Sequence, residues 1–196
     1  LTIHLISPPK EKQPTAFSTK YHKWNSSERP FLFEKIQYTS PIRSPIAGTL
    51  PKLTSEMENL ILTKLFSKKH KLEHYYNRLL SNPVYYSRKV GYFLQILDFQ
   101  PLVLDGKGNK RPPSEFKILN FATETQAKSA LCCLNSNLFF WFITVFSDCR
   151  HVNKREVDNL PVDLDILAAG EIGSKLVSIS KRLMDDIQKN SKLSRM

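Results

Sequence analysis

The chain has 196 residues, enough for one sizeable core or two small ones, and its 41% hydrophobic and 24% charged residues are ordinary globular composition, which excludes disorder over the whole length. Lys and Arg total 29 against 18 Asp and Glu, and a net charge of +11 favours polyanionic partners over acidic proteins or neutral ligands, with a merely basic protein as the plainer alternative. The longest uninterrupted apolar run, beginning at Leu138, is far short of a membrane span, and the first residues carry His4 and prolines rather than the basic start of a signal peptide.

Cys132, Cys133 and Cys149 do not make a disulfide framework, so the expected setting is a reducing compartment, the cytoplasm. Because the first residue is Leu rather than Met, the chain reads as a fragment of a longer protein.

In chain order, Leu1 to Ile6 predicts a strand, and Ser7 to Pro14 is proline-rich loop. Tyr21 to Asn25 and Glu28 to Phe33 interleave aromatics with charges, a pattern that either stacks on nucleic acid bases, with Trp24 as the contact, or plugs the edge of a core. Ile36 to Ile42 is strand-like and leads into a Pro/Gly turn region.

Leu53 to Leu80 predicts the longest helix, opened by a capping box at Ser55 and Glu58, with Met57, Leu60, Ile61, Leu65, Leu72, Tyr75, Tyr76 and Leu79 as its buried stripe. Lys64, Lys68, Lys69, Lys71 and Arg78 crowd the same segment and suit either a phosphate track or a solvated face. His70 and His74 have helical ligand spacing but no third ligand nearby.

Asn82-Pro83 is expected to end that helix, and Val84 to Gln100 reads as a strand pair broken at Gly91. The turn Asp105 to Pro113 carries Lys107, Lys110 and Arg111 and predicts a hairpin between Tyr92–Leu104 and Ser114–Phe121, its loop free to touch DNA or simply flexible.

Thr123 with Gln126 caps a predicted helix through about Leu134, and Asn135 or Ser136 caps a second through about Phe146. The second is apolar on nearly every side and has to be central, so its end delivers Arg150, Asn153, Lys154 and Arg155 to the edge of the core. Ser147, Asp148 and His151 have the composition of a hydrolase triad but are crowded into five positions. Leu160 to Val162 reads as an edge strand or link, and Ile166 to Lys189 as a packed terminal helix with Ile172, Leu176, Ile179, Leu183 and Ile187 inward.

These segments, in order, also resemble a known family. Lys23-Trp24-Asn25, Arg29 to Phe33, Ser114 to Leu119, Leu134 to Trp141, Ser147-Asp148 and Val152 to Val157 look like the C-terminal target-recognition region of adenine-specific DNA methyltransferases, of the Eco57I restriction-modification type and the TaqI-like specificity domains. The resemblance spans about residues 20 to 190, and it is the ordered set that is specific rather than any one piece.

It implies an α+β recognition domain over 20–196, with a small twisted antiparallel sheet, a buried central helix, a long basic helix and a packed C-terminal helix, and a link over 1–19 from an N-terminal methyltransferase domain. It further implies sequence-specific binding of double-stranded DNA, with S-adenosylmethionine held by the missing domain, and a whole protein that methylates adenine and possesses or lacks a nuclease elsewhere. Ser7-Pro8-Pro9 is similar to the catalytic loop of such enzymes, but Lys10 stands where that loop needs an aromatic to stack on an extruded base, so this chain alone is expected to be inactive. Base-reading residues vary with the target, so the DNA-contact candidates rest on chemistry alone: Arg150, Asn153, Lys154 and Arg155, with Lys107, Lys110 and Arg111 in the loop. The rival expectation from another class is a protein-docking scaffold.

Overall fold

The computed structural model describes residues 16–91 and 93–191; the expected strand Leu1–Ile6, the loop Ser7–Pro14 and Tyr92 lie outside them. The architecture is α+β. The helices are α1 (Leu32–Lys35), α2 (Glu56–Phe66), α3 (Glu124–Leu134), α4 (Asn137–Phe146), α5 (Lys154–Asp158), α6 (Leu164–Leu167) and α7 (Gly170–Asn190). The strands are β1 (Asn82–Ser87), β2 (Ile96–Leu97), β3 (Val103–Leu104), β4 (Lys110–Arg111) and β5 (Phe116–Phe121).

A three-stranded antiparallel sheet has the order β2-β1-β5, with Tyr85 opposite both Leu97 and Ile118. The hairpin expected between Tyr92–Leu104 and Ser114–Phe121 is therefore replaced by two pairings. β3 and β4 close a short ribbon around the Asp105 turn, while β5 pairs along its full length with β1. The alternation of apolar residues in β5 suits the wider sheet, where Leu119 and Phe121 are buried.

The expected helix over Leu53–Leu80 ends at Phe66. Its capping box forms: Ser55 Oγ accepts from the Glu58 amide at 3.3 Å, and the Glu58 carboxylate accepts from the Thr54 amide at 2.7 Å. Beyond Phe66 the backbone is taken up by a tertiary partner, Leu72 donating to the Leu160 carbonyl at 2.9 Å and Val162 donating to that of His70 at 3.1 Å. The buried side of α2 is Asn59 and Leu62, so Met57 and Leu60 face outward, and Leu79, beyond the helix, is 96% exposed. Asn82-Pro83 opens β1 rather than closing a helix.

α3 and α4 form where their caps dictate, with Thr123 and Ser136 accepting from the amides of Gln126 (3.1 Å) and Phe139 (3.2 Å). Phe139, Phe142 and Ile143 of α4 are wholly buried, and Phe142 and Phe146 meet with ring centroids 4.9 Å apart. No single helix among the described residues is long and apolar enough to cross a membrane; α3 and α4 together would reach that length only through a 63° bend.

The terminal helix divides after Leu167, because Asp163 caps α6 by accepting from the Ile166 amide at 3.2 Å and Gly170 turns the chain with φ +52°. α7 packs through Gly173, Ser180 and Met184, with Leu183 and Ile187 of the expected stripe against the core, while Ile172 and Ile179 are left outside.

Candidate nucleic-acid interface

α4 is the device that carries a polar segment to the sheet. Beyond Ser147 the chain turns at Cys149, whose φ of +59° is rare for a side-chain-bearing residue. Asp148 holds that turn together. One carboxylate oxygen accepts from the amides of Arg150 and His151 at 2.9 and 2.8 Å, and the other lies 2.9 Å from His151 Nδ1. These bonds, the His151 ring above all, hold the Asp148 carboxyl down at about 2.

The next residues zip onto the end of β1. Val152 donates to the Arg88 carbonyl at 2.8 Å, and Val90 donates to that of Arg150 at 3.0 Å. On the other side, Asn77 donates to the Asn120 carbonyl at 3.1 Å and Tyr76 bridges Phe121, bringing the segment before β1 alongside β5.

The result is a cleft of about 640 Å³ between Tyr76–Arg78, β1, β5 and Val152–Lys154. Four cations line it: Arg78, Arg88, Lys117 and Lys154. Three amides, Asn77, Asn120 and Asn153, stand among them, and among the described residues no carboxylate lines the cleft. Asp158 holds two of the lining side chains, accepting a hydrogen bond from the Tyr76 phenol and an ion pair from Lys154 at 2.6 Å. Burial raises the Tyr86 phenol, Asp158 reinforces that, and Lys154 and Arg88 act in the opposite sense, as expected of cations converging on one ring.

Of the candidates named from sequence, Arg78, Asn153 and Lys154 meet in this cleft. Asn153 is at the N-terminus of α5 yet makes no capping bond, so its amide is available to a ligand. Others are engaged internally. Arg155 donates to Glu156 Oε1 from two nitrogens at 2.6 and 2.9 Å, Arg111 pairs with Glu115 at 2.9 Å, and Lys71 Nζ donates to Asn159 at 2.7 Å.

The remaining candidates are dispersed. Lys107 and Lys110 lie on the β3–β4 ribbon, whose turn is ordered by Asp105 accepting from the amides of Lys107 and Asn109 at 2.9 and 2.8 Å. Lys64 and Lys69 are exposed on α2 and the turn after it, Lys68 borders a separate apolar groove, Arg150 is exposed beside the Asp148 turn, and Trp24 lies half-exposed well before the sheet in sequence. The single helical track of phosphate contacts is thus broken where α2 stops.

Arg88 and Lys117 escaped the sequence reading because Arg88 directly follows β1 and Lys117 lies inside β5; the signal was an exposed cation at that end of the β1–β5 pair. Asp148 and His151 do come together, but Ser147 is buried and its hydroxyl accepts from the Cys149 amide at 3.0 Å, so the trio clamps a turn rather than presenting a nucleophile. His70 and His74 stack at 4.5 Å, and among the described residues no group of three His, Cys, Asp or Glu is placed to hold a metal ion.

Comparison with protein-family models, with curated proteins and with solved structures finds no match for this chain.

Proposed function

We propose that this chain binds double-stranded DNA as the target-recognition part of a site-specific adenine DNA methyltransferase of a restriction-modification system, and that the cleft between β1, β5 and Val152–Lys154 grips one DNA strand. The observation that carries this reading is the convergence of Arg78, Arg88, Lys117 and Lys154 on a cleft without a lining carboxylate. Lys154 is already paired with Asp158, but Arg78, Arg88 and Lys117 have no carboxylate partner among the described residues; such cations around one concavity repel one another in the free protein, and a polyanion relieves that repulsion while releasing its own counterions.

The three amides supply what the cations lack. An Asn side chain presents a donor and an acceptor side by side and can pair with the edge of adenine, whereas Lys and Arg on phosphates fix position without reading sequence. S-adenosylmethionine and methyl transfer belong on this reading to a separate N-terminal domain, and the chain studied alone is inactive.

The test is an anisotropy titration of a labelled duplex against the chain at several salt concentrations. Three or four phosphate contacts predict a log–log slope of about −3. Binding that is absent, or indifferent to salt, would reject the reading.

A further inference from the structure

Residues 19 to 38 leave the fold and return to the same place. Ser18 and Thr39 exchange both backbone hydrogen bonds, at 2.9 and 3.0 Å, and close the excursion at its base. Inside it the chain is organised by short-range bonds, such as Thr19 Oγ1 to His22 Nε2 at 2.9 Å and the Ser27 hydroxyl to Asn25 Oδ1 at 2.7 Å. Neither the turn Arg29–Phe31 nor α1 buries a single residue.

The large side chains of the excursion face outward. Tyr21, Trp24, Phe31, Phe33 and Tyr38 are exposed by between 46% (Tyr21) and 65% (Phe33), and none belongs to the core or packs against it. Aromatic rings contribute most to folding when buried, so an ordered excursion that turns five of them to solvent is shaped for something other than its own core.

Cations stand between the rings. Lys20, Lys23, Arg29 and Lys35 outnumber Glu28 and Glu34, and Lys35 meets Glu28 only at 3.9 Å. Lysine is depleted where proteins dock on one another. Rings alternating with cations meet a different requirement, that of a strand whose bases offer open faces for stacking and whose phosphates need neutralising; in an intact duplex those faces are covered by neighbouring bases.

We propose that this excursion is a stacking surface for an unpaired strand of DNA, with Tyr21, Trp24 and Phe33 against bases and Lys20, Lys23 and Lys35 against phosphates. The choice of DNA over RNA rests on the function proposed above; the stacking itself does not.

The chain has two tryptophans, and the second, Trp141, is partly buried with its indole N–H donating to Glu58 at 3.1 Å. A Trp141→Phe variant leaves Trp24 as the single indole, and titration with oligo(dT) is expected to quench it. In the wild-type background, Tyr21→Ala and Phe33→Ala are each expected to weaken labelled oligo(dT) binding about tenfold while leaving duplex affinity unchanged. Arg88→Ala is expected to weaken duplex binding, so failure of the cleft and failure of the stacking surface are read on separate variants and separate ligands. Unchanged oligo(dT) affinity in both aromatic variants overturns the proposal. So does tighter binding of oligo(U) than of oligo(dT), or self-association of the chain that Phe33→Ala abolishes.

Discussion

Arg155 and Glu156, neighbours in sequence, form an ion pair at the edge of the core in which the carboxylate is wholly buried and the Arg155 side chain is 47% exposed. The guanidinium reaches only Oε1; among the described residues Oε2 of Glu156 has no hydrogen-bond partner. Arg155→Ala would leave a buried carboxylate without a hydrogen-bond donor, a loss of about 2–3 kcal/mol. The expected outcome is a Tm lower by roughly 5–10 °C with an unchanged salt slope for duplex binding. A reduced slope at constant Tm would instead put Arg155 on the DNA.

Gly173 of α7 packs tightly on Ala168, just past the end of α6. A Cβ built there would lie 2.3 Å from the Ala168 carbonyl oxygen, which is backbone and cannot swing aside. Gly173→Ala should therefore destabilise the fold by about 1–3 kcal/mol, against the gain of up to about 1 kcal/mol that Ala brings to a free helix. Urea denaturation decides the sign; a raised midpoint would show that α7 can slide.

The Glu58 carboxylate joins α2 to α4. Burial pushes its pKa up, but hydrogen bonds from Thr54, Trp141 and Ser55 more than offset this and leave it lowered. Glu58→Ala removes the capping box and the Trp141 partner together, at a cost of about 1–2 kcal/mol. The same substitution should alter Trp141 emission in the folded state, and an unchanged spectrum would contradict the contact.

Asp148 gives the fold an acid limb. Its carboxyl ordinarily titrates near 3.8 and is held at about 2 in the folded chain, chiefly by His151. A depressed folded pKa means that its stabilisation is complete above the unfolded value and is lost as pH falls through the folded one. Stability should thus decline between about pH 4 and pH 2, and Asp148→Asn should flatten that part of the profile. An identical slope in the variant would show that other carboxylates account for it.

Much of this fold can be read from local chemistry. Ser55, Thr123 and Ser136 place their helices because a cap acts within one turn, and the all-round apolar face of α4 admits only a central position. The readings that shifted depend on partners distant in sequence. α2 stops because residues 70 to 72 are taken up by residues 160 to 162, and β5 chooses β1 over the nearer β3 because a six-residue partner satisfies more backbone than a two-residue one.

The cleft follows the same division. Asn153 and Lys154 were legible as the polar end of a buried helix, whereas Arg88 and Lys117 acquire meaning only when β1 and β5 lie side by side, with Tyr86 opposite Lys117. Arg155 and Arg111 have the right chemistry for DNA, but each already has a carboxylate within 2.9 Å, as Lys154 has in Asp158 at 2.6 Å.

On the proposed function, Arg88 and Lys117 hold DNA phosphates. The most direct measurement is the salt dependence of duplex affinity for the native chain, Arg88→Ala, Lys117→Ala and the double variant, with Tm recorded for each. Both residues are exposed, so Tm should stay within a few degrees of the native value. The slope should shrink by about 1 for each substitution and about 2 for the pair. A slope identical in all four proteins would contradict the account.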